Sequence, residues 1–236
     1  MVGYIHSIES FATYEGSGIR TAVFMRGCPL RCKFCHNPDT WDIQGEGIES
    51  EALVKRLLRF KTYFSRGGGI TFSGGEPLVQ TDFLIETSLR LKENGINVAI
   101  DTSESIFNEK VKNLYQIVDL VIADLKFNTR ETYASECCVD IYDTVLETLK
   151  YLNEINKPVI LRTVIIPGIN DSEEAIKAYY ELVKEFKNIQ KYELKAFHTL
   201  GFDKYTKLGI LNPYANKSAL NEKRLDELKL YLAQIR

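Results

Sequence analysis

The segment TAVFMRGCPLRCKFCH, residues 21–36, joins an apolar run to three closely spaced cysteines. The run at 21–25 predicts a buried strand, and Cys28, Cys32 and Cys35 follow it on a loop in a C-x3-C-x2-C pattern. Three thiolates at this spacing can bind three irons of a cubane iron–sulfur cluster, whereas a closed cluster needs four protein ligands. The fourth iron would stay open to a small chelating ligand, and an open metal position is typical of catalysis.

Further apolar, β-branched runs extend the pattern beyond this segment, at residues 70–72, 97–100, 120–123, 159–165 and 192–197. Helical periodicity separates and follows them, at residues 51–64, 82–94, 108–117, 140–155, after 168, and at 221–234. Alternating strands and helices predict a parallel sheet with helices outside. Six such units are two short of a closed eight-fold barrel, so we expect an α/β fold, a partial (β/α)6 barrel, with residues 1–236 forming a single domain.

Composition limits the function classes. The chain has 44% apolar and 26% charged residues, a formal net charge of −2 and a pI near 6.0, which gives no electrostatic signature for nucleic acid or an anionic membrane. No basic amino-terminal region leads into an apolar stretch, and no apolar run reaches the ~18–20 residues of a spanning helix. We expect a cytoplasmic protein whose cysteines are metal ligands or free thiols. The remaining pair, Cys137 and Cys138, is expected to be a bystander.

Polar, reactive or glycine residues follow the predicted strands or lie within them. They are Ser73-Gly74-Gly75-Glu76, Asp101-Thr102-Ser103, Asp124-Leu125-Lys126, Arg162 and His198. In parallel α/β architectures the chemistry gathers at the carboxyl ends of the strands. We therefore expect these groups to meet the cysteine loop at one end of the barrel.

Two other uses of the cysteines are open to the residues alone. Cys28, Cys32, Cys35 and His36 could bind zinc, although structural zinc usually draws its ligands from two separated knuckles. The run from Cys32 to His36 also fits C-x-x-C-H, the attachment motif of c-type haem. That attachment normally follows export, which the amino terminus does not indicate.

The cysteine motif, with Phe34 before its last cysteine, resembles the radical S-adenosylmethionine superfamily. The flanking residues narrow the resemblance to the activating enzymes of glycyl radical enzymes: 15–21 read EGSGIRT, 35–41 read CHNPDTW, and SGGE and DT stand at 73–76 and 101–102. The likeness extends from about residue 3 to beyond His198.

The resemblance implies an enzyme with one [4Fe-4S] cluster that has an open iron, to which S-adenosylmethionine binds. Reductive cleavage would give a 5′-deoxyadenosyl radical, which abstracts a glycine α-hydrogen from a partner protein and leaves a glycyl radical. Relatives with a ferredoxin-like insert need about eight further cysteines, which this chain lacks. The insert-free type favours pyruvate formate-lyase as the partner, flavodoxin or ferredoxin as electron donor, and a monomer. The alternatives are another insert-free glycyl radical enzyme, a small-molecule substrate, or a non-catalytic iron–sulfur or zinc protein.

The resemblance also implies roles for individual residues. Beyond the cysteine ligands, the expected S-adenosylmethionine contacts are Phe34, Cys35, His36, Gly74, Gly75, Glu76, Leu125, Lys126, Phe127, Arg162 and His198. A monovalent cation is expected on Asp101, Thr102, Asp124 and the carbonyl of Ile122.

The chain departs from the family at two of these places. The family usually opens with Asp-Gly-Pro-Gly-Ile-Arg, where this chain has Glu15 for the acid and Ser17 for the proline. Since that acid approaches the substrate glycine loop in the family, we expect Glu15 to serve in substrate docking. Glu104 stands where a glycine is common.

Overall fold

In the computed structural model, which describes residues 1–64 and 67–236, a seven-stranded sheet forms the centre of the fold. In chain order the strands are β1 (Val2–Gly3), β2 (Ile5–Ala12), β3 (Arg20–Met25), β4 (Ile48–Glu49), β5 (Gly69–Gly74), β6 (Asn97–Thr102), β7 (Leu120–Asp124), β8 (Val159–Ile165) and β9 (Ile189–Ala196). The sheet order is β2-β3-β5-β6-β7-β8-β9, and β1 pairs separately with β4.

The six strands from β3 to β9 in this sheet run parallel, which confirms the predicted partial barrel. The seventh strand, β2, pairs antiparallel with β3 at the edge of the sheet and was not predicted. Its residues are half-buried or exposed, so they lack the continuous apolar run that marks a central parallel strand.

Helices follow the parallel strands and cover the outer face of the sheet. They are α1 (Ser50–Leu57), α2 (Thr81–Glu93), α3 (Glu109–Ile117), α4 (Arg130–Glu136), α5 (Tyr142–Glu154), α6 (Glu173–Val183), α7 (Phe202–Leu208) and α8 (Glu222–Ile235). Three short 3-10 turns lie at Pro38–Thr40, Leu58–Tyr63 and Pro77–Gln80. Within the described ranges, no helix is long and apolar enough to cross a membrane.

Several helix boundaries differ from the predictions. The helix expected at 51–64 is α-helical only to Leu57 and continues as a 3-10 turn. A short helix that was not predicted, α4, ends just before Cys137, and Cys138 has a positive φ of 61°. Both α4 and α7 have seven residues, which is too short for a clear 3.6-residue apolar period.

Alternation along the strands produces two different faces. Val98 and Val121 point outward into the main core beneath the helices, whereas Ala99 and Ile122 form a smaller cluster on the opposite face. Successive side chains of a strand point to opposite sides, so the residues two positions after members of the inner cluster share the inner face. By this rule Asp101, two residues after Ala99, lies on the inner face at the carboxyl end of the sheet. Asp124 and Arg162 lie on the same face, two residues after Ile122 and Ile160.

Candidate active site

The cysteine loop, residues 27–36, begins directly after β3 and is fixed on one side by residues that follow it. The N–H of Gly27 donates to the carbonyl of Thr40 at 2.8 Å, and the N–H of Cys28 donates to the carbonyl of Trp41 at 2.9 Å. Gly27 has a φ of 93°, and a Cβ there would lie 2.6 Å from the side chain of Ile43. Glycine is therefore required where the chain turns from the strand into the loop.

The end of α4 fixes the other side of the loop. The N–H of Arg31 donates to the carbonyl of Cys137 at 3.0 Å, and the N–H of Lys33 donates to the carbonyl of Glu136 at 2.9 Å. Cys137 is fully buried, and its side chain raises the pKa of the Cys32 thiol. Cys137 thus supports the loop and is not the bystander that the sequence suggested, whereas Cys138 is exposed.

The three loop cysteines are free, and burial governs their ionisation. Burial raises the pKa of the Cys28 thiol to about 12 and that of Cys35 to about 11. The hydrogen bond with Cys137 and burial raise the pKa of Cys32 well above its usual value. Three buried thiols of this kind need a soft, positively charged partner to become thiolates.

The arrangement suits a cluster better than a single ion. Among the residues that the structure describes, no three His, Cys, Asp or Glu side chains converge on one metal position. A cubane cluster does not require convergence, because each thiolate binds a different iron. The ring Nε2 of His36 lies 2.7 Å from the carbonyl of His198, so it is engaged away from the cysteines. The donor set therefore fits the iron–sulfur hypothesis and disfavours the zinc and haem alternatives.

The two glycines after β5 allow that strand to approach the cysteine loop. Gly74 has a φ of 109°, and a Cβ there would lie 2.4 Å from the backbone nitrogen of Met25. A Cβ on Gly75 would lie 2.4 Å from the carbonyl oxygen of Gly27. Both glycines line the cleft beside the cysteines, so their backbone groups are open to a ligand.

Glu76 is placed differently from what we expected. It is fully buried and does not line the cleft in the described chain. Its Oε1 accepts from the hydroxyl of Thr102 at 2.7 Å and the N–H of Leu78 at 3.1 Å, while its Oε2 accepts from the N–H of Ser103 at 2.9 Å and from the hydroxyls of Ser103 and Ser105. The carboxylate thus joins the loop after β5 to the loop after β6.

Acidic and basic side chains meet at the ends of β6, β7 and β8. Lys126 Nζ lies 2.5 Å from Oδ2 of Asp124, and an Arg162 nitrogen lies 3.5 Å from Oδ2 of Asp101. Burial and the nearby Asp101 raise the pKa of Glu15 to about 8, although Arg162 opposes this shift. Burial likewise raises the pKa of Asp101. The group is therefore poised to accept positive charge or a further proton.

Arg162 is a buried arginine with anionic neighbours. Its Nε donates to Glu193 at 3.0 Å, and its guanidinium also donates to the carbonyl of Tyr14. Since Tyr14 precedes Glu15, this contact attaches the amino-terminal loop to the sheet.

Aromatic side chains lie beside the cysteines. The rings of His36 and His198 stack with centroids 3.9 Å apart and planes 10° from parallel. Phe34 meets Phe127 edge to face at 5.7 Å, and Lys126 lies 6.0 Å above the Phe34 ring. Burial lowers the pKa of both histidines, which favours their neutral, stacking form.

A cleft of about 770 Å³ connects these groups at the carboxyl ends of the strands. The expected site residues that line it are Glu15, Cys28, Cys32, Phe34, Cys35, His36, Gly74, Gly75, Asp101, Thr102, Asp124, Lys126, Arg162 and His198. Leu125, Phe127 and Ile122 are fully buried instead, so their side chains act from behind the cleft wall. The volume matches the range of sites that bind cofactors of drug-like size.

The cleft also includes residues that sequence reasoning missed. Tyr14 and Leu200 stand at its rim with exposures of 76% and 83%, and Lys195 lies 5.5 Å above the Tyr14 ring. The sequence signal for these two residues was their position, since Tyr14 precedes Glu15 and Leu200 lies two residues after His198. An exposed tyrosine or leucine alone carries no such information.

Comparison with known proteins defines the class. The sequence profile of the Radical SAM superfamily matches residues 22–180, so the chain belongs to that superfamily. It is 40% identical over 238 aligned residues to the pyruvate formate-lyase-activating enzyme of Clostridium pasteurianum, covering 100% of this chain and 99% of the relative. The enzyme of that name from Streptococcus mutans is 38% identical over 90% of this chain and 84% of its own length.

A solved structure supports the fold. The crystal structure of a domain of pyruvate-formate lyase-activating enzyme from Bacteroides vulgatus superposes with a TM-score of 0.59 at 25% identity, covering 71% of this chain and 94% of that one. Streptococcus suis SuiB bound to S-adenosylmethionine superposes with a TM-score of 0.66 at 18% identity, over 89% of this chain and 46% of SuiB, which supports the fold alone. The superfamily assignment implies a [4Fe-4S] cluster and S-adenosylmethionine, in agreement with the free cysteine triplet.

Proposed function

We propose that this protein activates pyruvate formate-lyase by creating a glycyl radical on it. One observation carries the proposal: the three cysteines, the paired glycines and the charged strand ends line a single cleft, in a chain that matches the Clostridium pasteurianum enzyme over its whole length. A non-catalytic iron–sulfur carrier has no need for such a cleft.

Each wall of the cleft has a proposed part. Cys28, Cys32 and Cys35 would hold three irons of the cluster, which together with S-adenosylmethionine would supply the one-electron chemistry that produces a carbon radical able to take a glycine α-hydrogen. The backbone of Gly74 and Gly75 receives the methionine amino group, because no Cβ obstructs it. Phe34, His36 and His198 hold the adenosine by stacking and by backbone contacts, with Phe127 behind Phe34.

Charge complementarity supports the remaining roles. The ligand carboxylate would be held by Arg162 and Lys126, whose positive charges are largely buried. Asp101, Thr102 and Asp124, with the carbonyl of Ile122, would hold a monovalent cation, and Lys126 pairs with Asp124. Leu125 and Glu76 position these groups from behind.

Glu15 is proposed to meet the partner's glycine loop. It lies in the cleft on the segment that Arg162 anchors through the Tyr14 carbonyl. With its pKa raised to about 8 by burial and by Asp101, its carboxyl remains largely protonated at neutral pH. A neutral carboxyl can approach a peptide backbone without the desolvation cost of a charge.

The cysteine count supports an external electron donor. Beyond the loop only Cys137 and Cys138 remain, too few for a second cluster, so a flavodoxin or ferredoxin supplies the electron. We further propose that residues 1–236 work as one radical SAM domain, monomeric and cytoplasmic, without a ferredoxin-like insert.

An anaerobic electron paramagnetic resonance experiment tests the proposal. Reconstituted, reduced protein is mixed with S-adenosylmethionine and pyruvate formate-lyase from the same source, and the expected result is the doublet of a glycyl radical on the lyase. Cys35→Ser should abolish the doublet, whereas Cys138→Ser, which changes an exposed thiol, should retain it. S-adenosylmethionine cleavage without any radical on the lyase would transfer the assignment to another radical target.

A further inference from the structure

Trp41, the only tryptophan of the chain, lies against the cysteine loop outside the cleft. Its carbonyl accepts the N–H of Cys28, and its side chain opposes the rise that burial causes in the pKa of the Cys35 thiol. Tyr205 packs edge to face on the indole at 6.1 Å and donates its hydroxyl to the carbonyl of Cys35 at 3.0 Å. The indole is therefore fixed against two of the three cluster cysteines.

Arg31 covers the outer face of this indole. Its guanidinium lies 4.9 Å from the ring centroid and donates to the carbonyl of Cys28 at 2.7 Å. The Arg31 side chain is 44% exposed, and its nearest carboxylate, on Asp42, is 3.9 Å away and itself 68% exposed. A surface cation stacked on an aromatic ring is thus in direct contact with the loop that holds the cluster.

Neither Arg31 nor Trp41 is among the described residues that line the cleft. A protein that contacts this surface would leave the cleft open to S-adenosylmethionine and to the glycine loop. The flavins and iron–sulfur groups of one-electron carrier proteins are anionic when reduced, so they complement an exposed guanidinium.

We infer that Arg31 and Trp41 form the surface on which an external one-electron carrier protein docks to reduce the cluster. The inference rests on the proposed function, which requires such a donor. In the step, the carrier's reduced flavin or iron–sulfur group would lose one electron, and the cluster held by the cysteine loop would gain it. No bond forms or breaks, and no proton moves.

Stopped-flow reduction of the cluster-loaded protein tests the docking. The probe is flavodoxin hydroquinone, with dithionite as a small reductant that needs no docking surface. Arg31→Gln retains a side-chain donor but removes the charge, and should lower the flavodoxin rate constant at least tenfold while the dithionite rate stays within twofold. Arg31→Lys keeps the charge, so its flavodoxin rate constant should lie between those of the parent protein and of Arg31→Gln. Lys187→Gln is the matched control, since Lys187 is exposed and precedes β9 at the opposite end of the sheet.

Equal flavodoxin rates for Arg31→Gln and Lys187→Gln would overturn the docking surface. A redox titration monitored by the cluster's electron paramagnetic resonance signal is the control, and Arg31→Gln should leave the midpoint potential close to that of the parent protein. A potential lowered enough to account for the slower reaction would also overturn the docking surface.

These outcomes are separate from the proposed function. If the Arg31→Gln variant is reduced normally by flavodoxin and still creates the glycyl radical, only the docking surface is refuted. A protein whose reduction depends on Arg31, yet leaves no radical on pyruvate formate-lyase, refutes only the target.

Discussion

Replacement of Glu76 by glutamine distinguishes a carboxylate that organises loops from one that contacts the ligand. The variant keeps an oxygen for the Thr102 hydroxyl and the Leu78 N–H, but places an amide NH2 against the backbone N–H of Ser103. The Ser103 hydroxyl can rotate and accept instead, but its N–H cannot. One buried, charge-assisted hydrogen bond is lost and one donor is left unsatisfied.

We expect this change to cost about 3 kcal/mol of unfolding free energy, which lowers Tm by about 6–12 °C for a chain of this size. Thermal unfolding of the metal-free protein at pH 8 measures it, with the exposed Glu185→Gln as a control that should change stability by less than about 0.5 kcal/mol. Burial raises the pKa of Glu76, so at low pH its protonated carboxyl resembles the amide and the difference should shrink. An unchanged Tm combined with weaker S-adenosylmethionine binding to the cluster-loaded variant would refute this reasoning and return Glu76 to the ligand.

Two further predictions concern the same end of the barrel. Gly75→Ala places a Cβ 2.4 Å from the Gly27 carbonyl and should lower the iron and sulfide content after reconstitution at least twofold. Gly95→Ala is the control and should not lower it, because a Cβ at Gly95 would meet nothing within 4 Å. Equal iron and sulfide contents in the two variants would show that the loop adapts. Burial raises the pKa of Glu104 well above its usual value, so the folded state holds a proton that the unfolded chain releases above about pH 5, and stability should fall with rising pH. Glu104→Gln should flatten that fall, measured as urea midpoints at pH 5 and pH 8; parallel curves for the variant and the parent would contradict the assignment.

The sequence was sufficient for the six parallel strands, because buried parallel strands are continuous β-branched runs between amphipathic helices. Most of the expected side chains also line the cleft, since the carboxyl ends of parallel strands share one edge, but Glu76 does not, and Tyr14 and Leu200 were missed. Arg162 shows the reason for the agreement: on an apolar strand, an arginine must meet anions to be buried, and it meets Asp101 and Glu193.

The errors have a different physical origin. Because Glu76 follows the two glycines, we expected it to contact the ligand. Whether a carboxylate faces a cleft or a neighbouring loop depends, however, on the groups that pack against it. Thr102, Ser103 and Ser105 supply those partners from a separate strand end. Glu104 illustrates the converse, because its φ of 59° is one that glycine adopts most easily, while its hydrogen bond from Tyr115 at 2.6 Å gives the glutamate a compensating contact.

The cysteine loop lies between two short helices that the sequence did not predict. The end of α4 accepts two of its backbone N–H groups, and Tyr205 of α7 donates to the carbonyl of Cys35. Loops that bind a cluster must be rigid before the metal arrives, because fixed ligands lose less conformational entropy on binding. The residues that achieve this here are far away in sequence, and only the tertiary fold brings them to the loop. Variation in α4 and α7 should therefore change cluster stability and electron supply while the cysteine motif itself stays the same.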